Sequence, residues 1–217
     1  MLSGEPLTYL STIAIFLVSL SVHEYAHAWM AYRYGDDTAA RMGRMTLNPI
    51  AHISLFGTII LPLIAHFGWA KPVPVNFAVL TRGQMFRVAL AGPAANLLMA
   101  AGLAAAFHLF HLQAVPSLGN FVLLAILFNL ILAVFNLIPV PPLDGSRMVY
   151  AQLRSEQAIN AYRRFSQYGL FILIAFLFFG GFRILVWPVV GLLYTLLALP
   201  LPALTLDDIS AQPQAEL

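Results

Sequence analysis

The chain has no cysteine, so neither a disulfide framework nor thiolate metal ligation is available to it. Charge is scarce as well: charged residues make up 9% of the 217 positions against 60% hydrophobic, where a soluble domain carries about 25% charge. Such a chain cannot cover its own surface in water. The composition therefore specifies an integral membrane protein in a lipid bilayer, with no separate soluble domain expected in this length. Met1–Thr8 holds no Lys or Arg, which argues against a cleaved signal peptide and for a retained first span. A formal net charge of +2 is too small to signal nucleic acid as a partner. Acidic residues number only nine, so candidates for a carboxylate role can be weighed one at a time.

Long apolar runs are what the chain has in abundance. Runs of spanning length fall at 8–32, 88–112, 119–138, 165–180 and 184–201. The last two flank Gly180-Gly181 and read as a tight helical hairpin. A shorter run at 53–67 reads as re-entrant. That topology puts Arg33, Arg41, Arg44, Lys71, Arg82, Arg87, Arg147, Arg154, Arg163 and Arg164 on one face and leaves only Arg183 opposite, the bias of cytosolic loops. The expectation is an all-α polytopic membrane protein with about five full transmembrane helices, the N-terminus outside and the C-terminus cytosolic. Arg41–Thr46 and Trp69–Phe77 read as short membrane-associated β-strands. Pro72 and Pro74 strip donors from one edge of the second and leave the other edge competent. A single transmembrane domain is expected over 1–204, followed by a polar, structureless cytosolic tail at 205–217.

The sharpest local feature is His23-Glu24-Tyr25-Ala26-His27. On a helix, positions i and i+4 share a face, so both imidazoles can reach one metal ion. Glu24 is then placed to hold and deprotonate a water at that metal. Two imidazoles and a carboxylate inside an apolar span are costly unless liganded or paired. Zinc takes three protein ligands and keeps one position open, so a third ligand is needed. Glu5 precedes the spans, Asp36 and Asp37 follow the first in a polar loop, Glu156 lies on a solvated face, and Asp207, Asp208 and Glu216 are in the tail. Asp144 stands out, in Asn136-Leu137-Ile138-Pro139-Val140-Pro141-Pro142-Leu143-Asp144-Gly145. Three prolines break the helix there and Gly145 permits a sharp turn, so a carboxylate can be aimed inward. A cap on the following helix is the competing role for Asp144, and the two are compatible.

Asn96 and Asn136 are amides in apolar spans, suited either to the substrate backbone and a developing oxyanion or to bonding between helices. Asn129 reads only as an inter-helix bond. Val73 and Val75, on the donor-competent edge, are candidates for capturing an unwound substrate strand. His52, His66, His108 and His111 lack a metal-like partner set; the His108/His111 pair reads as interfacial.

His23-Glu24-Tyr25-Ala26-His27 in the first span with Asn136 to Gly145 closing a later one resembles the site-2 protease family of intramembrane metalloproteases. Gly92-Pro93-Ala94-Ala95-Asn96 and Phe67 to Asn76 are similar to compact prokaryotic-type members, without a PDZ-like or nucleotide-sensing domain. The resemblance implies one zinc ion held by His23, His27 and Asp144, Glu24 as general base, and transmembrane helices as substrates. It also implies a multi-pass protein of a cytoplasmic membrane with its active site toward the cytosolic face. Relatives often carry Asp where this chain has Ser54. The rival function is a metal transporter or metal-binding membrane protein, but transport needs polar groups along a path to both faces, and the candidates here cluster toward one. Neither substrate identity nor oligomeric state can be read from the sequence.

Overall fold

The computed structural model describes residues 6–54, 71–197 and 199; the re-entrant stretch expected within 53–67 (beyond residue 54) and the tail at 205–217 lie outside them. The described elements are helical throughout: α1 (Pro6–Arg33), α2 (Thr38–Arg41), α3 (Arg82–Leu109), α4 (Pro116–Asn136), α5 (Asp144–Gln152), α6 (Glu156–Gln167), α7 (Gly169–Phe178) and α8 (Trp187–Leu196). Helices α3 and α4 are each long and apolar enough to cross a membrane. Helix α7 with the stretch Phe182–Leu196 makes a third candidate as one bent pair.

Local chemistry sets the boundaries. Thr81 opens α3 with a reciprocal capping box: Gln84 N–H donates to its hydroxyl at 3.3 Å while Thr81 N–H donates to the Gln84 side chain at 2.8 Å, satisfying two otherwise orphaned donors. Pro116 begins α4, where a missing N–H costs nothing. Ser155 caps α6 through Ala158 N–H, and no residue of that helix is buried.

Helices α1, α3 and α4 pack against one another, α5 lies on α3, and α8 lies on α4. The core runs through Ala100, Ala104 and Phe107 of α3, Ile126 and Leu130 of α4, Leu173 of α7, and Val190 and Tyr194 of α8. Ala28 and Ala31 of α1 and Ala100 of α3 are at most 1% exposed; such small residues let helix backbones approach where lipid offers no hydrophobic drive.

Two expectations are corrected. The 165–180 and 184–201 runs do not form a tight hairpin: the axes of α7 and Phe182–Leu196 meet at 79°, a corner at Gly180 (φ +76°) rather than a return. Nor is there a strand among the described residues of either β candidate. Arg41 ends α2 and the chain after it turns. Residues 71–76 are held by side chains and by one isolated backbone bond instead of a ladder. Lys71 N–H donates to His52 O at 3.0 Å, Val73 N–H to Glu24 Oε2 at 2.7 Å, and Asn76 N–H to Asp36 Oδ2 at 2.7 Å. Arg44, 8% exposed, donates through Nη2 to Lys71 O at 2.8 Å.

This strap thus leans on two carboxylates. Asp36 also accepts from Thr38 N–H and the Thr38 hydroxyl. Asp36→Ala leaves the Asn76 and Thr38 donors without their acceptor and is expected to lower stability by about 2 kcal/mol. Hydrogen–deuterium exchange should register it as faster exchange across 71–76, with α3 and α4 unchanged.

Candidate metal centre

Helix α1 carries His23 and His27 one turn apart, with exposures of 3% and 6%, and their rings meet edge to face at 4.7 Å. Asp144 arrives from the other side, as the first residue of α5. The chain unwinds after α4 through Pro139, Pro141 and Pro142, and the Asp144 side chain points at the imidazoles instead of capping its own helix. Its Oδ2 lies 3.0 Å from His23 Nε2 and 3.1 Å from His27 Nε2, and the two Nε2 atoms are 3.1 Å apart.

The other ring nitrogens identify which atoms carry lone pairs. His27 Nδ1 is 2.7 Å from Val88 O, a carbonyl that only accepts, so the proton sits on Nδ1 and Nε2 is free to ligate. His23 Nδ1 is 2.7 Å from Asn96 Oδ1, also an acceptor, which assigns the same tautomer. Three electron-rich atoms, two imidazole nitrogens and a carboxylate oxygen, therefore converge, an arrangement that repels itself unless a cation or proton lies among them. Tetrahedral zinc with ligand bonds of about 2.0 Å separates its ligands by about 3.3 Å; the observed spacings fall only a few tenths short. The donor set fits zinc, with the three ligands leaving a coordination position for water or substrate, and these residues are the group able to hold a metal among the described residues.

Glu24, 8% exposed, follows His23 on α1, and its Oε2 accepts from Val73 N–H. Val73 is buried against Ala28 and Ala39, and Val75 packs at the edge of the same cluster. The donor edge left by the prolines therefore faces the protein, with Lys71 and Val73 N–H both engaged. Asn96 is fully buried and engaged at both ends: Oδ1 on His23, Nδ2 on Ser19 O at 3.0 Å and on Asn129 Oδ1 at 2.7 Å. Asn136 is half-buried, and its Nδ2 donates to Leu132 O at 2.9 Å.

Two contributors escaped the sequence reading. Val88 supplies only its carbonyl, which no residue type signals. Gly92 of α3 lies directly against both imidazoles: a Cβ there would meet His27 Nε2 and come within 2.7 Å of His23 Nε2. It was visible only as part of Gly92 to Asn96.

A His₂Asp centre with both imidazoles buried, beside a glutamate and among helices long and apolar enough to cross a membrane, is the arrangement of a membrane metallopeptidase. The family model described as Peptidase family M50 matches residues 11–117 and 107–180, and the chain belongs to that family, the site-2 proteases. It is 42% identical over 154 residues to "Putative zinc metalloprotease YwhC" of Bacillus subtilis (strain 168), covering 66% of this chain and 70% of the relative. It is 35% identical over 190 residues to "Putative zinc metalloprotease Rip2" of Mycobacterium tuberculosis (strain ATCC 25618 / H37Rv), covering 81% of this chain and 73% of the relative. The Rip2 of Mycolicibacterium smegmatis (strain ATCC 700084 / mc(2)155) is 34% identical over 189 residues, covering 80% and 70%. No solved structure gives a match.

Proposed function

We propose that the chain is an intramembrane zinc endopeptidase that cleaves transmembrane-helix substrates, with His23, His27 and Asp144 as zinc ligands and Glu24 as general base. The carrying observation is the convergence of both Nε2 atoms and Asp144 Oδ2 at 3.0–3.1 Å, with a carboxylate on the residue next to His23. A zinc ion held by His23, His27 and Asp144 would supply Lewis acidity to the scissile carbonyl and would lower the pKa of a water toward neutrality. Glu24 takes the proton of the attacking water and delivers it to the leaving amine. One Glu24 oxygen is held by Val73 N–H, which orients the carboxylate. Asn136, with an amide hydrogen and its oxygen beyond the bond to Leu132 O, binds the substrate backbone or the developing oxyanion. The strap at Val73 and Val75 meets the substrate after it unwinds; because Val73 N–H is engaged by Glu24, the substrate strand displaces that contact as it binds.

The topology that goes with this reading has α1 as the first crossing, followed by α3 and α4, with the N-terminus outside and the centre toward the cytosolic face of a cytoplasmic membrane. The ten-to-one division of Lys and Arg described above supports it.

The test is cleavage of a transmembrane-helix reporter by the purified full chain in detergent, with bound zinc measured alongside. Glu24→Gln should keep zinc and lose a factor of about 10²–10⁴ in cleavage rate. Asp144→Ala should lose both. Cleavage by Glu24→Gln at the wild-type rate would remove the general-base assignment.

A further inference from the structure

Behind His23 lies a polar relay spanning three helices, built from groups essentially sealed from solvent. Ser19, Asn96 and Asn129 are 1%, 0% and 0% exposed. Asn129 Nδ2 of α4 donates to Ala125 O at 2.8 Å and to Ser19 Oγ of α1 at 2.9 Å. Asn96 Nδ2 of α3 donates to Ser19 O at 3.0 Å and to Asn129 Oδ1 at 2.7 Å. Asn96 Oδ1 faces His23 Nδ1.

Each amide is oriented by a backbone carbonyl that can only accept: Ala125 O requires the nitrogen of Asn129, and Ser19 O requires the nitrogen of Asn96. Donation therefore runs one way, from the ring through Asn96 to Asn129. If Asn96 turned over, its oxygen would face two acceptors at once, Ser19 O and Asn129 Oδ1, while its NH₂ faced the ring. That NH₂ would ask His23 Nδ1 to accept, moving the ring proton to Nε2, the atom aimed at Asp144 and His27. Asn129 supplies one of the two acceptors that forbid this turn. Unpaired buried amides are costly, and in a bundle core no water replaces the lost partner.

We propose that Asn129, buttressed by Ser19, is a positioning residue for the metal centre: it acts through Asn96 to keep His23 in the tautomer whose Nε2 is free to ligate. The inference rests on His23 being a metal ligand. Nothing in it requires Asn129 to touch substrate or metal.

The experiment reads the His23 tautomer directly, by ¹⁵N NMR of the metal-free full chain in detergent with labelled histidine, at a pH where the imidazoles are neutral. Zinc affinity is measured in parallel by chelator competition. Wild type is expected to show His23 protonated on Nδ1, the relay holding that tautomer against the repulsion among the three converging acceptors. Asn129→Leu should show a second, Nε2-protonated population and a zinc affinity lower by about 10–100-fold. His27, held by Val88 O, should keep its tautomer and so reports that the bundle is intact. Ser19→Ala, which removes only the hydroxyl beneath Asn129, should move His23 the same way by less, and it serves as the reading if Asn129→Leu does not fold. In an Asn96→Leu background, Asn129→Leu should lower zinc affinity no further, whereas a role in general packing would add. An unchanged His23 tautomer and zinc affinity in both Asn129→Leu and Ser19→Ala overturns the inference, as does additivity with Asn96→Leu. Wild type binding no zinc would overturn the ligand assignment and this inference together. Wild type binding zinc with an indifferent Asn129 would overturn this inference alone.

Discussion

Gly92→Ala is expected to strip the protein of zinc and of activity while leaving it folded. The added methyl would point at His27 Nε2 and come within 2.7 Å of His23 Cε1 and Nε2, far inside van der Waals contact. The helix cannot retreat, because the turns on either side of Gly92 supply Val88 O to His27 and Asn96 Oδ1 to His23. The imidazoles must give way, so the loss falls on the metal centre. Zinc affinity should fall by at least ~100-fold, the upper end of what losing a supporting contact causes, and cleavage should fall with it. Overpacking should cost about 1–3 kcal/mol of stability. Gly102→Ala is the control: it lies on the same helix with nothing within 4 Å of the added carbon, so it should be neutral or slightly stabilising. Metal analysis by mass spectrometry on both variants checks this. Full zinc occupancy in Gly92→Ala would mean the rings have room that the geometry does not show.

Gly145→Ala should do comparable damage from the other side of the centre. Here the obstruction is backbone: a Cβ would overlap Leu137 O and lie 2.5 Å from Leu137 C and 2.6 Å from Ile138 O. No side chain can rotate to relieve that. The first turn of α5 would have to lift off the end of α4, carrying Asp144 away from the imidazoles. The expected result is loss of zinc together with about 3 kcal/mol of stability, read as a lowered denaturant midpoint. The two variants are thus distinguishable. Gly92→Ala is mainly a metal defect, and Gly145→Ala is a metal defect with a folding defect.

The cluster able to hold a metal was legible in the sequence because each part rested on a local or exclusive signal. His23 and His27 follow from helical periodicity alone. Asp144, 121 positions from His23, was reachable because a chain with nine acidic residues leaves few alternatives and because three prolines announce a break beside it. What was misread depends on partners remote in sequence. Residues 71–76 have the composition of an edge strand, yet a strand exists only when another backbone completes the ladder. Here Glu24, Asp36 and Arg44 supply most of the bonds instead. Two glycines at 180–181 signal a turn, but the angle between the flanking helices is decided by packing, and it is 79°. Asn129 sits 33 positions from Asn96 on a neighbouring helix. Their contact depends on the rotational setting of α3 against α4, which the weak apolar asymmetry of either helix does not encode.

The bond between Val73 N–H and Glu24 has a consequence for selectivity on the proposed reading. A hydrogen bond to a charged acceptor contributes about 1.5–3 kcal/mol, so at about 2 kcal/mol a strand that needs the strap out of its way meets a roughly thirtyfold penalty before it reaches the base. A helix drifting past in the bilayer, with its amides already bonded internally, brings nothing to repay that penalty. An unwound segment arrives with free amide hydrogens and can offer one to Glu24 in place of Val73. The same contact that steadies the base would then work as a threshold. Intact neighbours in a crowded membrane would be spared, and the enzyme would respond to chains already loosened at the position to be cut.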